Sequence, residues 1–165
     1  MNPYASYVGD RDPLSVIATT AQELADRSAG LSPEAVNKAP APGKWSFRQI
    51  VCHLADTEIA FGFRLRQALA EPNHIIQPFD QDRWADRYDS YDLASALELF
   101  TAMRGWNLLL LKAVRAEDFT RPVSHPERGA MTFRTIVETM AGHDLNHLAQ
   151  LQGVVGQASA RPTVA

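Results

Sequence analysis

The sequence predicts an all-α protein, a four-helix bundle whose helices are joined by long loops that permit crossover connections. Three observations predict this fold class. Four segments repeat apolar residues with helical periodicity, no strand-like alternation extends far, and the composition, 45% hydrophobic and 21% charged, is that of a globular protein. The chain of 165 residues fits a single domain, residues 1–165, with its core between about residues 13 and 156.

The first predicted helix follows Asp12 and Pro13, an N-cap residue and a proline suited to the first helical position. Its apolar periodicity continues to about Gly30. A proline at this position already has the helical φ angle and lacks only an N–H that would have no partner. The pair therefore marks where the first helix begins.

The second helix begins at "WSFRQI", where Ser46 and Gln49 have the spacing of a capping box. Trp45 before the box and Ile50 after it are placed to form a hydrophobic staple. We expect this helix to continue to about Glu71, just before a proline.

The third helix begins near Asp92, carries the apolar run "WNLLLLKAV" and ends around Arg115. The fourth begins near Thr132 and ends toward Gly153 or Gly156, because glycine commonly follows a helix. The remaining "QASARPTVA" is predicted to be a loose tail.

The connections are long, at about residues 31–45, 72–91 and 116–131. Each is long enough to run the length of a helix, so neighbouring helices need not alternate in direction. A short pair of strands inside residues 118–131 is compatible with the sequence. Loops of this length in a compact domain often close over a functional site.

Two histidines of the fourth helix lie on its core-facing side. Ile136, Met140, His143, His147 and Leu151 follow one another at steps of three or four residues. Histidines four residues apart are either two polar residues of an ordinary helix or a pair that binds one metal ion. Their position among core residues favours a site, because a buried imidazole that nothing satisfies costs free energy.

The second helix places a third histidine on its inner side. Ile50, His53, Thr57, Ala60 and Arg64 recur at steps of three or four. The small residues that follow His53 predict a hollow in the bundle rather than a packed core. His53, His143 and His147 can therefore form one set of three imidazoles, a donor set suited to Zn²⁺, Ni²⁺ or another divalent ion.

Such a set leaves one coordination position for water or substrate, as in catalytic metal sites. A closed structural zinc site would normally use cysteines, and the sequence has only Cys52. His74 and His125 fall in predicted loops and are weak candidates for metal ligands.

Four further residues are candidates for the site. Asp56 could hydrogen-bond a ligand imidazole or a bound water, or be a solvated carboxylate. Arg64 could hold a substrate carboxylate, or be an ordinary surface arginine. Asp144 is expected at the rim because it lies about 100° around the helix from His143. Trp84 is expected either to cover the mouth of the site or to pack in the core.

Composition excludes several function classes. The net charge of −3 and the pI of about 5.9 argue against a nucleic-acid-binding protein. No stretch has the pattern of a signal peptide or is long enough to span a membrane. A single cysteine, expected to be a buried small apolar residue, is typical of a cytoplasmic protein.

Four motifs in order, "APGKWSFRQIVCHLADTE", "QPFDQDRWA", "SHPERGAMTFRTIV" and "HDLNHLAQL", resemble the DinB-like superfamily. The most similar branch is that of the YfiT-type metal-dependent hydrolases, which is associated with bacillithiol S-transferase activity. The resemblance extends over about residues 38–152.

The resemblance implies a four-helix bundle with crossovers, a homodimer and a divalent metal held by three histidines. The family ligands correspond to His53, His143 and His147, and a family arginine and loop tryptophan correspond to Arg64 and Trp84. Family members often have a further histidine after the last ligand, where this chain has a leucine.

Three functions follow as hypotheses. The first is a transferase that moves a low-molecular-weight thiol onto an electrophilic co-substrate, with Arg64 anchoring a carboxylate of the thiol and Asp56 tuning a ligand. The second is a hydrolase that uses metal-activated water, with Asp56 as the base. The third is a non-catalytic metal-binding stress-response protein, whose metal mainly stabilises the fold.

Overall fold

The computed structural model describes residues 2–159, with side chains through Val154. The described helices and strands are α1 (Ala5–Val8), α2 (Pro13–Ser28), α3 (Pro33–Asn37), α4 (Phe47–Ala70), β1 (His74–Ile75), α5 (Gln81–Ala85), α6 (Leu93–Ala113), β2 (Pro122–His125), β3 (Gly129–Thr132) and α7 (Phe133–Ser159). The four long helices α2, α4, α6 and α7 form the bundle, so the predicted fold class is confirmed.

The predicted caps hold the ends of the long helices. The carboxylate of Asp12 accepts the backbone N–H of Ser15 at 3.0 Å at the start of α2. At the start of α4, the side chain of Ser46 accepts the N–H of Gln49 at 3.3 Å, and the Gln49 side chain accepts the N–H of Ser46 at 2.9 Å. Both capping predictions are confirmed.

One helix end was predicted wrongly. Helix α7 does not end at Gly153 or Gly156 but continues to Ser159. Nothing lies within 4 Å of the position where a Cβ of Gly153 would be, so no close contact requires a glycine there. A glycine weakens a helix by about 1 kcal/mol but does not oblige it to end. Of the predicted tail, residues 160–165 lie outside the described residues.

The connections contain more structure than the sequence predicted. Strands β2 and β3 pair antiparallel, with Val123 opposite Met131, which confirms the short strand pair. Strand β1 adds to β2 in parallel, and the order β1-β2-β3 was not predicted. The short helices α1, α3 and α5 were also missed, because none has enough turns to show periodicity.

The bundle contains the crossovers that the long loops permit. Helix α4 packs mainly against α6 and α7, and α2 packs mainly against the same two helices. Consecutive helices α2 and α4 are therefore diagonal, and so are α6 and α7. No helix among the described residues is long and apolar enough to cross a membrane.

The interior is divided into two apolar clusters. One includes Ile17, Leu65 and Met140, and the other includes Phe47 and Leu151. Between the two clusters, each long helix contributes buried polar side chains. This polar layer consists of Thr20, His53, Thr57, Glu58, Arg104, Asn107, His143, Asp144 and His147. The candidate site lies in this layer.

Candidate metal centre

Three imidazoles of the polar layer converge. Nε2 of His143 lies 3.0 Å from Nε2 of His53 and 3.1 Å from Nε2 of His147. The candidate ligand atoms of the three residues all lie within 4.8 Å of one another. We call these three residues the histidine cluster. His53 comes from α4 and the other two from α7, as the sequence predicted.

The core-facing position of the α7 histidines explains why they meet His53. Ile136, Met140 and Leu151 of the same helix row are all at most 2% exposed. His143 and His147 occupy this row at 5% exposed, and His53 is 1% exposed. Helices α4 and α7 pack directly against each other, so their inner rows bring the three rings together.

The surroundings keep the three imidazoles neutral. Burial, assisted by the charge of His147, lowers the pKa of His53 to about 3. Burial lowers the pKa of His147 to about 4 and that of His143 well below its ordinary value. Neutral imidazoles have a free lone pair, which is the form that binds a metal.

Hydrogen bonding supports a metal-binding tautomer of His147. Nδ1 of His147 lies 3.1 Å from Oε1 of Gln150. A proton on Nδ1, donated to this oxygen, leaves the Nε2 lone pair facing the other two rings. Nδ1 of His53 and Nδ1 of His143 are buried and have no hydrogen-bond partner. Three inward nitrogens without a carboxylate or thiolate fit a borderline divalent cation such as Zn²⁺ or Ni²⁺.

Aromatic rings enclose the histidine cluster. The ring of Trp45 lies 4.7 Å from that of His53 and is stacked near His147 at 6.4 Å. Phe61 and Tyr4 form T-shaped ring contacts with His143 at 5.8 and 5.4 Å between ring centres. The sequence predicted Trp45 only as part of a staple and did not indicate Tyr4. The staple spacing places Trp45 beside Ile50, one turn from His53, and could have indicated this wall.

Two cavities meet at the histidine cluster. The larger, of about 670 Å³, is lined by His53 and His147, together with Trp45 and residues of α5 and the α7 end. The smaller, of about 330 Å³, is lined by His143, with Thr57 and Arg64 from α4. The hollow predicted on the inner side of α4 is therefore present.

The smaller cavity has two arginines and one carboxylate, Glu127, in its lining. Arg64, Arg128 and His125 all line it. Nη2 of Arg64 donates to the backbone oxygen of Gln77 at 3.2 Å, and its guanidinium lies 5.4 Å from the ring of Phe79. Burial, and then the nearby charge of Arg128, lowers the pKa of Arg64. The sequence did not predict Arg128, which comes from the turn between β2 and β3.

Asp56 is directed elsewhere. Its carboxylate is near Tyr88, whose pKa is raised by burial and by the charge of Asp56. Burial also raises the pKa of Asp56 itself. Asp56 lines neither of the two cavities.

The prediction that Asp144 lies at the rim is wrong. Asp144 is 1% exposed and forms an ion pair with Arg104 of α6, with Nη1 and Oδ2 2.6 Å apart. Its position around the helix, as predicted, differs from that of His143, but this direction points to α2 and α6 rather than to solvent. Thr20 of α2 donates a further hydrogen bond to Oδ2 at 2.7 Å.

Trp84 and Cys52 are two further residues with predicted positions. Trp84 is 39% exposed and packs on Phe79 at 4.5 Å, so its placement in the core is wrong. Its helix α5 lies at the mouth, where Gln81 lines both cavities. Cys52 is buried, as predicted, and burial raises its pKa to about 11.

The two histidines predicted to lie in loops are in strands instead, and both lie outside the histidine cluster. His74 lies in β1, where its Nδ1 is 2.7 Å from Oε2 of Glu71. His125 ends β2 and is 5% exposed. Burial, followed by the charges of Arg128 and Arg64, lowers the pKa of His125.

Comparison with known proteins agrees with this architecture. The DinB superfamily model matches residues 17–151. A protein of Oceanobacillus iheyensis named "putative metal-dependent hydrolase" is 31% identical over 122 residues, covering 73% of this chain and 71% of its own. A second protein of that organism with the same description is 25% identical over 140 residues, covering 84% and 81%.

A solved structure has the same fold. YfiT from Bacillus subtilis, described as "a probable metal-dependent hydrolase with an unusual four-helix bundle topology", superposes with a TM-score of 0.82. The alignment covers 88% of this chain and 85% of YfiT at 21% sequence identity. The crossover connections of the bundle are thus shared with a known structure.

Proposed function

The chain belongs to the DinB superfamily, and from that premise we propose that it is a metal-dependent enzyme that transfers a low-molecular-weight thiol onto an electrophilic substrate. One observation carries the proposal: three neutral, buried imidazoles converge where two cavities meet. His53, His143 and His147 would hold the ion, with Zn²⁺ or Ni²⁺ as the best matches to this donor set.

The ion and the chain have separate tasks. When bound, the ion supplies Lewis acidity, which lowers the pKa of a thiol or of water toward neutrality. The chain orients its ligands and limits the access of water. Trp45, Phe61 and Tyr4 surround the imidazoles with ring faces and edges, so a reacting group there meets little solvent.

Arg64 is proposed to anchor the thiol substrate through a carboxylate. It lines the smaller cavity together with Thr57 and His143, and no carboxylate of the described residues forms an ion pair with it. Its planar guanidinium can donate two parallel hydrogen bonds to a carboxylate. Arg128 adds a second positive charge to this cavity, and Glu127 adds one negative charge, so the two arginines leave an excess of positive charge that attracts an anion.

The larger cavity is proposed to receive the electrophile. Trp45, Ile50 and Val154 give it an apolar surface, and Asn146 and Gln150 add hydrogen-bonding groups. Its volume of about 670 Å³ is that of a pocket for a small organic molecule. The thiol and electrophile would then approach the histidine cluster from opposite sides.

Hydrolysis is the second candidate, favoured by the names of the relatives. It requires a base beside the reacting water, and Asp56 is the residue proposed for that role. The Asp56 carboxylate is near Tyr88 and lines neither cavity, which supports thiol transfer over hydrolysis.

We also propose a homodimer. Neighbouring helices α4 and α6 expose large apolar side chains, including Phe63 at 56%, Trp106 at 62% and Leu109 at 59%. Exposed apolar surface of this kind marks contact sites. Sedimentation of the native chain and of Trp106→Glu tests this: a dimer should become a monomer. The proposed cytoplasmic location is tested separately by cell fractionation.

The enzyme proposal is tested with zinc-loaded and nickel-loaded protein. The thiols are 3-mercaptopropionate and 2-mercaptoethanol, and the electrophile is 1-chloro-2,4-dinitrobenzene, whose chloride the sulfur displaces. If the thioether forms faster with the protein than without it, thiol transfer is supported. If the protein instead cleaves an ester substrate and forms no thioether, hydrolysis is supported. If no substrate turns over and metal removal strongly lowers the melting temperature, the non-catalytic hypothesis is supported instead.

A further inference from the structure

The N-terminal segment reaches the centre of the site although it precedes the part of the chain that matches the family model. This segment is residues 2–12, and the match covers residues 17–151. Its short helix α1 packs against α7. It places Tyr4 beside His143, with 5.4 Å between the ring centres and an edge-on arrangement.

A glycine of α7 makes this approach possible. A Cβ added to Gly142 would lie 2.6 Å from Cβ of Tyr4 and 2.6 Å from the backbone oxygen of Tyr4. It would also lie 3.1 Å from Cγ2 of Val8. Two of these atoms are fixed to the backbone of the segment, so no side-chain rotation relieves the overlap. Only glycine at this position lets residues 4–8 pack against α7 as they do.

Tyr4 contributes to the walls of both cavities. It lines both the larger one, with His53 and His147, and the smaller one, with His143. Its own position is fixed by the backbone, because its oxygen accepts the N–H of Tyr7 at 3.0 Å and its N–H donates to the side chain of Asn2 at 2.9 Å. These bonds fix the backbone of Tyr4, and its ring lies against the ring of His143.

We propose that Tyr4 is a positioning residue whose ring covers His143 and separates the two cavities, so that it limits the size of the ligand that reaches the histidine cluster. The inference rests on the proposed function, in which this cluster is the reactive centre. The role belongs to the aromatic ring, since the ring makes the edge contact with His143. Tyr4→Phe should accordingly behave like the native chain.

The first experiment requires neither metal nor substrate. Diethyl pyrocarbonate modifies accessible neutral imidazoles, and mass spectrometry identifies the modified histidine in metal-free protein. His143 should react several times faster in Tyr4→Ala and in Gly142→Ala than in the native chain. Tyr4→Phe should be unchanged.

Two matched controls distinguish the loss of the Tyr4 ring over His143 from a general loosening of the fold. Tyr7→Ala removes an aromatic ring from the same segment, but Tyr7 is 43% exposed and lines neither cavity. Gly105→Ala adds a methyl group to a helical glycine that has nothing within 4 Å. Neither control should change the reaction of His143. Hydrogen exchange at residues 5–9 shows whether Gly142→Ala has released the segment.

The second experiment measures ligand size. Calorimetry compares the binding of imidazole and 4-phenylimidazole to zinc-loaded protein. Tyr4→Ala should shift the ratio of the two affinities toward the larger ligand by about tenfold, the scale on which pocket size discriminates. An unchanged ratio, with His143 as slow to react as in the native chain, would show that Tyr4 does not form this wall. If zinc does not bind at all, the proposed function fails, and the modification of His143 still decides the role of Tyr4.

Discussion

Two buried polar groups lie side by side in this bundle and are satisfied in opposite ways. Arg104 uses all five of its N–H donors: Nε and Nη2 bond Glu58, Nη1 and Nη2 bond Asp144, and Nη1 also bonds the backbone oxygen of Ile17. The histidine cluster, which includes the neighbouring residue His143, leaves Nδ1 of His53 and Nδ1 of His143 without partners. Every N–H donor of Arg104 is therefore bonded, whereas the histidine cluster has two unpartnered Nδ1 atoms and brings its three Nε2 atoms together at one point.

The difference distinguishes a group that stabilises the fold, the Arg104 network, from a group that the fold positions, the histidine cluster. Arg104 of α6 connects α4, α7 and α2 through charged hydrogen bonds, and its pKa stays above the ordinary value because Asp144 and Glu58 outweigh the effect of burial. The cluster makes no comparable connection to charged groups, so burial dominates and its imidazoles stay neutral. Neutral imidazoles can donate their lone pairs to a ligand that accepts them, such as a metal ion.

The largest expected effect comes from breaking the Arg104 network. Arg104→Met should lower the free energy of unfolding by about 3–5 kcal/mol, because it leaves two buried carboxylates without their positively charged partner. Urea denaturation measures the change. Arg66→Met is the control, since Arg66 is only partly buried and bonds Gly62 and Asn107. Equal losses in the two variants would contradict the distinct role of Arg104.

Metal should stabilise the native chain through the histidine cluster alone. Free zinc at one hundred times its dissociation constant should raise the free energy of unfolding by about 2.7 kcal/mol. His53→Ala should abolish this increase, whereas His74→Ala should keep it, because His74 pairs with Glu71 outside the cluster. A stabilisation that persists in His53→Ala would place the zinc elsewhere.

Acid should destabilise the metal-free chain. In the unfolded chain a histidine takes up its proton near pH 6.5, but in the folded chain His53 does so only at about 3 and His147 at about 4. The unfolded state therefore binds more protons below pH 6.5, and stability falls as the pH falls. Between pH 6.5 and 5.5 each of the two should cost about 1 kcal/mol. His147→Gln should show a shallower decline, and an identical decline would mean that His147 is not buried as a neutral group.

Arg64 should govern the choice of thiol. Arg64→Met should weaken binding of 3-mercaptopropionate to zinc-loaded protein by about tenfold, since a charged hydrogen bond is lost, and should leave 2-mercaptoethanol unchanged. The control is Arg83→Met, which removes an exposed arginine that pairs with Asp80. Calorimetry reports both affinities. An equal loss for the two thiols would indicate that Arg64 does not contact a carboxylate.

The smallest effect is expected at Asp56. Asp56→Asn should leave thioether formation nearly unchanged, because this carboxylate lines neither cavity. Initial rates at saturating thiol provide the measurement. A large loss of ester hydrolysis in the same variant would restore Asp56 as the base of a hydrolase.

Local patterns predicted much of the fold and the centre of the site. Apolar periodicity identified the four long helices, and the capping residues Asp12 and Ser46 marked two of their starts within one residue. The same periodicity placed His53, His143 and His147 on inner helix rows, which packing then brought together. Such features depend on residues close in sequence, so the sequence alone carries them.

Contacts between distant segments could not be predicted in this way. The helical periodicity of α7 correctly placed Asp144 on a different side of the helix from His143. It did not indicate its partner, Arg104 of α6. Tyr4 reaches His143 only because Gly142 lacks a side chain, and no periodic pattern in the sequence indicates this contact. Arg128 joins the smaller cavity through the pairing of β2 with β3 and with β1.

The most direct test of the central claim is the zinc content of purified protein, measured by elemental analysis for the native chain, His147→Ala and His74→Ala. If the histidine cluster is a metal centre, the native chain and His74→Ala should hold about one zinc ion per chain, and His147→Ala should lose most of it because two ligands remain. Zinc content in His147→Ala equal to that of the native chain would contradict the three-histidine site.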